Sequence, residues 1–109
     1  MTLNENSSRE EIINYIKAHP YHFLHYFSDK PWAQIYIDEA AKLSIRKVPY
    51  SFLNNFSDEP WAQPYIDEAV NKVIKKYPEY FMEKWADRFP QYINLALFAL
   101  GDKNGSKSK

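Results

Sequence analysis

The chain has no cysteine, only two glycines, no net charge and no long apolar run. Each absence removes a class of protein. Without cysteine there is neither a disulfide framework nor a thiolate metal site. Two glycines leave nothing from which to build a glycine-rich phosphate loop. Fourteen basic side chains against fourteen acidic ones create no overall field to draw in a polyanion such as nucleic acid. No window approaches the ~18 apolar residues of a membrane span, and the polar opening "MTLNENSSREE" lacks the apolar run of a signal peptide. The expectation is a soluble, cytoplasmic protein without a membrane partner. What is present is 109 residues, 45% hydrophobic and 26% charged, which is enough for one domain with a modest core.

The positive signal is a repeat. "PYHFLHYFSDKPWAQIYIDEA" begins at Pro20, and "PYSFLNNFSDEPWAQPYIDEA" begins at Pro49. Units 20-48 and 49-77 agree at 18 of 29 positions, and a worn third unit, 78-100, keeps Pro78, Phe81, Met82, Trp85 and Asp87 in register. Agreement this extensive, surface residues included, points to a recent duplication, so identity at exposed positions says little about function.

Each unit reads helix, turn, helix. Proline suits the first helical position because its missing N–H has no partner there, and "PYxFLxxF" sets large apolar residues one and four apart on one face. "SDKP" and "SDEP" stop one helix and restart another at Pro31 and Pro60. The second helices carry an apolar stripe through Trp32, Tyr36 and Ala40, with small Ala40 and Ala69 allowing close approach. Pro64 interrupts the second copy, which predicts either a kink or a late start. Upstream, Ser8 and Glu11 have capping-box spacing before Ile12, Ile13 and Ile16. Helices are thus expected over 8-19, 20-27, 31-47, 49-56, 60-76, 78-87 and 90-100. Gly101 is expected to cap the last of them in the left-handed region. Residues 1-7 and the basic tail 101-109 are expected to be disordered.

The fold class predicted is all-α: a short right-handed α-solenoid of about three helical hairpins with an extra N-terminal helix, forming a single domain over 8-100. Pro20, Phe23, Leu24, Phe27, Asp29, Pro31, Trp32, Ala33 and Tyr36, with their copies 29 residues on, give the chain a resemblance to the HEAT and tetratricopeptide class of helical repeats. That resemblance covers about residues 20-100 and implies a scaffold or adaptor that binds other proteins.

Catalytic signals are thin. His22 and His25 share one side of a short helix, but Pro20 breaks the geometry with His19, and the second copy has Ser51 and Asn54 instead, so no metal or other cofactor is expected. Asp38 with Glu39, and Asp67 with Glu68, diverge by about 100° as helix neighbours and do not converge on one substrate atom. Their spacing to Lys42 and Lys72 is that of surface ion pairs. No enzyme activity is expected.

Two features suggest binding instead. Tyr21, Tyr50 and Tyr80 lie off the main apolar stripe and could line an aromatic face for a peptide partner. The stretch "LALFAL", Leu95 to Leu100, has no polar residue, so apolar side chains point all around a helix that should close the array. It is too short to span a bilayer, leaving burial under the opening helix or contact with another protein. The expected partner surface is Tyr92, Leu95, Leu97, Phe98 and Leu100 with the three tyrosines. The function expected is a non-enzymatic assembly module that self-associates or joins a larger subunit. The alternative is a nucleic-acid-binding module using these rings with Lys47, Lys72, Lys75 and Lys76, which the interspersed acids disfavour.

Overall fold

The computed structural model describes the backbone of residues 3–105 and the side chains of 3–101. Seven α-helices run α1 (Arg9–Ala18), α2 (Pro20–Phe27), α3 (Ile37–Lys47), α4 (Pro49–Phe56), α5 (Ile66–Lys76), α6 (Pro78–Lys84) and α7 (Ile93–Gly105), with no strand among the described residues. Each first helix packs on the second helix of its own unit: α2 on α3, α4 on α5, α6 on α7. Successive units touch through α3 with α4 and α5, and through α5 with α6 and α7, while α1 rests on α2 and α3.

Proline sets the helix boundaries. Pro20, Pro49 and Pro78 open α2, α4 and α6, and the residues before them share one conformation: His19 at φ −139°, ψ 63°, Val48 at −141°, 65° and Tyr77 at −139°, 64°. A residue preceding proline is driven out of the helical region, so each helix must stop there. At the N-terminus of α1, Ser8 Oγ accepts from the Glu11 N–H at 3.1 Å while Glu11 Oε1 accepts from the Ser8 N–H at 2.8 Å, the reciprocal box read from the spacing.

The second helices differ from expectation. They do not start as α-helix at proline; 3₁₀ segments over Pro31–Tyr36, Pro60–Tyr65 and Pro90–Tyr92 precede α3, α5 and α7. Tyr36 and Tyr65 take nearly the same bridge-region angles, φ −102°, ψ −6° and φ −103°, ψ −5°, before the α-helix begins. Six residues is long for 3₁₀ structure, and a glutamine in each braces it. Gln34 Nε2 donates to the carbonyls of Ser28 at 2.9 Å and Lys30 at 2.8 Å; Gln63 Nε2 does the same to Ser57 and Glu59, both at 3.0 Å. Pro64 therefore causes no kink. It lies in a segment that is already 3₁₀ in the copy where Ile35 stands.

Three other boundaries move. The sixth helix stops at Lys84 rather than 87, with Trp85 at φ −120°, ψ −4°. The last helix runs through Gly101 to Gly105, and no glycine among the described residues has positive φ, so Gly101 is not a left-handed cap. Residues 101–105, expected in a disordered tail, are helical, and 106–109 lie outside the described residues. At the other end, Leu3 is 3% exposed and joins the core, above a turn closed by Ser7 N–H to the Asn4 carbonyl at 3.0 Å and Asn6 N–H to Asn4 Oδ1 at 2.8 Å. Burying one leucine and satisfying these polar groups orders a segment whose composition alone reads as disordered; Met1 and Thr2 lie outside the described residues.

The core is a spine of equivalent residues. Phe23, Phe52 and Phe81 are fully buried at 29-residue intervals, and Ala40, Ala69 and Ala96, at matching positions of the second helices, are fully buried too. Phe23 meets Trp32 edge-on at 6.2 Å and 78°, and Phe52 meets Trp61 at 6.0 Å and 82°, so duplicated sequence has produced duplicated packing.

Candidate interaction surface

The contacts between units decide which predicted site residues are free. Tyr21 packs its ring on Phe56 at 5.3 Å, and Tyr50 packs on Trp85, the residue 29 beyond Phe56, at 5.0 Å. Both tyrosines are half-buried and seal one unit onto the next. Tyr65 donates its hydroxyl to Asp38 Oδ1 at 3.0 Å, and Tyr92 donates to Asp67 Oδ1 at 2.7 Å, so each second helix is latched to the preceding one. Burial, reinforced by the acceptor carboxylate, pushes Tyr65 and Tyr92 up to about 12. The same bond, with help from Lys42 at 3.3 Å, holds the Asp38 carboxyl below its ordinary value. Arg88 pairs with Asp58 across the last two turns.

The acid pairs thus have structural work. Asp38 pairs with Lys42 as the spacing predicts, whereas Asp67 serves Tyr92. Tyr80 is 40% exposed, its hydroxyl against that of Tyr50, with Lys84 Nζ donating to Tyr50 at 3.1 Å and lying 5.3 Å from its ring centroid. Hydrogen bonds from Tyr80 and then Lys84 lower Tyr50. The histidines sit in an aromatic edge: His19 and His22 rings are 5.8 Å apart, and His25 stacks parallel to Tyr21 at 6.3 Å. Among the described residues no three His, Cys, Asp or Glu side chains are grouped to share a metal ion, and no helix is long and apolar enough to cross a membrane.

Four predicted residues remain on α7, and a comparison inside the molecule gives them meaning. Matching Tyr92-Ile93 to Tyr65-Ile66 sets α7 on α5 residue by residue. Leu95 then stands where α5 has exposed Glu68, and Phe98 where it has exposed Asn71. Leu97 stands where α5 has Val70, Leu100 where it has Val73, and Gly101 where it has Ile74; those three on α5 are at most 2% exposed, on a helix packed against α4, α6 and α7. On α7, Leu95 is 44% exposed, Leu97 50% and Phe98 74%, with Leu100 half-buried and Ala96 fully buried. The opening helix α1 rests on α2 and α3 and leaves these side chains uncovered.

Between α5 and α7 lies a groove of about 510 Å³, with Leu95, Phe98 and Ala99 on one wall and Glu68, Lys72 and Lys75 on the other. Its walls juxtapose an apolar strip and a balanced charged rim, the usual anatomy of a protein contact. Two structural devices escaped the sequence reading, the Gln34/Gln63 brace and the Tyr–Asp latch. The glutamines and the Tyr65–Asp38 latch lie inside the duplicated "PWAQxYID" segment, and only Tyr92 of the second latch lies outside it, so the repetition marked them without revealing their roles. No family model, no curated protein and no solved structure matches this chain in comparison.

Proposed function

We propose that this chain is a non-enzymatic protein-interaction module, built as a short right-handed stack of helical hairpins of the HEAT-like or tetratricopeptide-like kind, with α7 as its adhesive end. The stacked reading draws support from the equivalent packing of successive hairpins and from principal extents of 59 × 25 × 17 Å, one long dimension and two that are each no more than about two helix diameters. One observation carries the functional reading: α7 places exposed Leu95 and Phe98 where its counterpart carries Glu68 and Asn71. Polar to apolar exchange on a solvent-facing position adds nothing to a monomer's core, while three exposed large apolar side chains on one short helix favour contact with another protein.

The test is the double variant Leu97→Asp with Phe98→Asp. The expected outcome is an unchanged helical circular-dichroism spectrum and cooperative melt, with any association seen by light scattering abolished. Loss of the fold together with association would make this face part of the core and overturn the proposal.

A further inference from the structure

We infer that Tyr50 and Tyr80 form an oxidative modification site, at which a one-electron oxidant joins the two rings into an intramolecular dityrosine that staples α4 to α6. The inference goes beyond the reading of α7 and does not depend on it.

The chain has no cysteine, so a thiol cannot serve as its oxidisable link. Phenols remain, and one pair of them stands apart. Of the nine tyrosines, all of them among the described residues, Tyr50 and Tyr80 are the two whose rings meet. Their centroids lie 4.7 Å apart at 87°, and their hydroxyls are hydrogen-bonded to each other. Two phenoxyl radicals couple through ring carbons adjacent to the hydroxyls, and hydroxyls in contact make those carbons neighbours. Tyr80 is 40% exposed, so a small oxidant reaches its ring and the ring has room to turn toward its partner.

Within the duplicated pattern this cluster is an addition. At the first junction Tyr21 packs on Phe56 at 5.3 Å, and Ser51 and Asn55 stand where the second junction has Tyr80 and Lys84. Sealing one unit on the next therefore requires neither a second phenol nor a cation. Trp85 also replaces Phe56, its rings 5.0 Å from Tyr50 and 5.9 Å from Tyr80. The exchanges gather two further oxidisable rings and an ammonium group around Tyr50.

Lys84 favours the chemistry. Its Nζ donates to Tyr50 Oη at 3.1 Å and lies 5.3 Å from the ring centroid. Hydrogen bonds from Tyr80 and then Lys84 lower Tyr50, while the bond to Tyr50 raises Tyr80, so Tyr50 is the first of the pair to lose its proton. A phenolate gives up an electron more readily than a phenol.

The step balances with the oxidant as the only co-reactant. Each phenol passes one electron to the oxidant and one proton to water, and the two radicals form one carbon–carbon bond. The hydrogen on each joined carbon then moves to the ring's own oxygen and restores both phenols. Two electrons and two protons leave in all. An indole radical formed at Trp85 leads to the same product by drawing an electron from a neighbouring phenol, which releases its proton.

The test exposes the full chain, in dilute solution, to photogenerated ruthenium(III) tris-bipyridine with persulfate as the final electron acceptor. The expected product has the blue fluorescence of dityrosine and remains a 13.0 kDa monomer that has lost two hydrogen atoms. Proteolysis should yield a peptide pair joined between Tyr50 and Tyr80. The urea midpoint should rise, because a link spanning 30 residues restricts the unfolded chain. Tyr80→Ser, which restores the residue of the first junction, and Tyr80→Phe, which keeps the ring, are each expected to retain the helical circular-dichroism spectrum and lose the intramolecular product. Tyr77→Phe, at an exposed tyrosine outside the pair, should leave the product unchanged. No coupling, coupling only between molecules, a link at other tyrosines, or undiminished product from a folded Tyr80 variant each overturns the assignment.

Discussion

Val70 on α5 and Leu97 on α7 each stand four residues after the isoleucine that opens their helix, yet Val70 is fully buried and Leu97 is 50% exposed. The two helices share a first-turn pattern, a tyrosine latch to the preceding unit and a fully buried alanine three residues after their opening isoleucine. They differ in the helices that pack against them. A further hairpin covers α5, and its outward positions remain polar; nothing in the described chain covers α7, and its outward positions become apolar. An amphipathic pattern thus says which side of a helix is core only when the next layer is known.

The largest effect expected from breaking this comparison comes from placing the same charge at both positions. Val70→Asp buries an unpaired carboxylate and should cost more than about 4 kcal/mol, enough to unfold a domain of this size. Leu97→Asp at about 1 µM should change stability by no more than about 0.5 kcal/mol. Urea denaturation followed by tryptophan fluorescence measures both, and equal losses would erase the distinction between the two helices.

Next in size is the latch that the two helices share. Tyr65→Phe with Tyr92→Phe removes two hydroxyl-to-carboxylate bonds, each worth about 1 kcal/mol, and should lower stability by about 2 kcal/mol in the same urea titration. It should also alter the pH profile. Both tyrosines are pushed up to about 12 in the fold, so the folded chain keeps protons that the unfolded chain sheds near its ordinary value of 10. Their contribution is complete below pH 10 and declines as pH rises through 12. On the acid side the lowered Asp38 contributes above pH 3.8 and loses that contribution as pH falls. Melting temperature against pH should flatten in both limbs for the double phenylalanine variant.

The smallest effect concerns a defect present in only one copy. Ser44 on α3 is fully buried with no partner for its hydroxyl among the described residues, whereas its counterpart on α5 is Val73. Ser44→Ala removes an unsatisfied polar atom and gains helix propensity, so it should stabilise by about 1 kcal/mol, seen as a higher urea midpoint. A lower midpoint would mean that the hydroxyl does find a partner.

Much of the fold was legible because its rules act over short chain distances. The prolines at 20, 49 and 78, the Ser8 and Glu11 box and the apolar stripes each act within one or two turns, and the helix order came from them. What was missed depended on contacts farther along the chain or in space. The 3₁₀ entry to α3 and α5 is braced by Gln34 and Gln63 reaching back six residues, and Leu3 gains order by joining a core whose position no local pattern reveals. Of the candidate site, the α7 leucines and Phe98 stood out as an apolar excess. Tyr21, Tyr50 and Tyr92 looked equally available, because an aromatic that seals two units and one that meets a partner have the same chemistry.

The sequence by itself determined seven helices, their proline-set boundaries and a spine of repeated phenylalanines, since backbone geometry and helical periodicity are encoded residue by residue. Only the tertiary structure decided that Tyr65 and Tyr92 latch neighbouring units, that Gly101 lies within a helix facing open space, and that Leu97 remains uncovered where Val70 is sealed. Burial depends on which surfaces meet, and equivalent positions of α5 and α7 meet different neighbours.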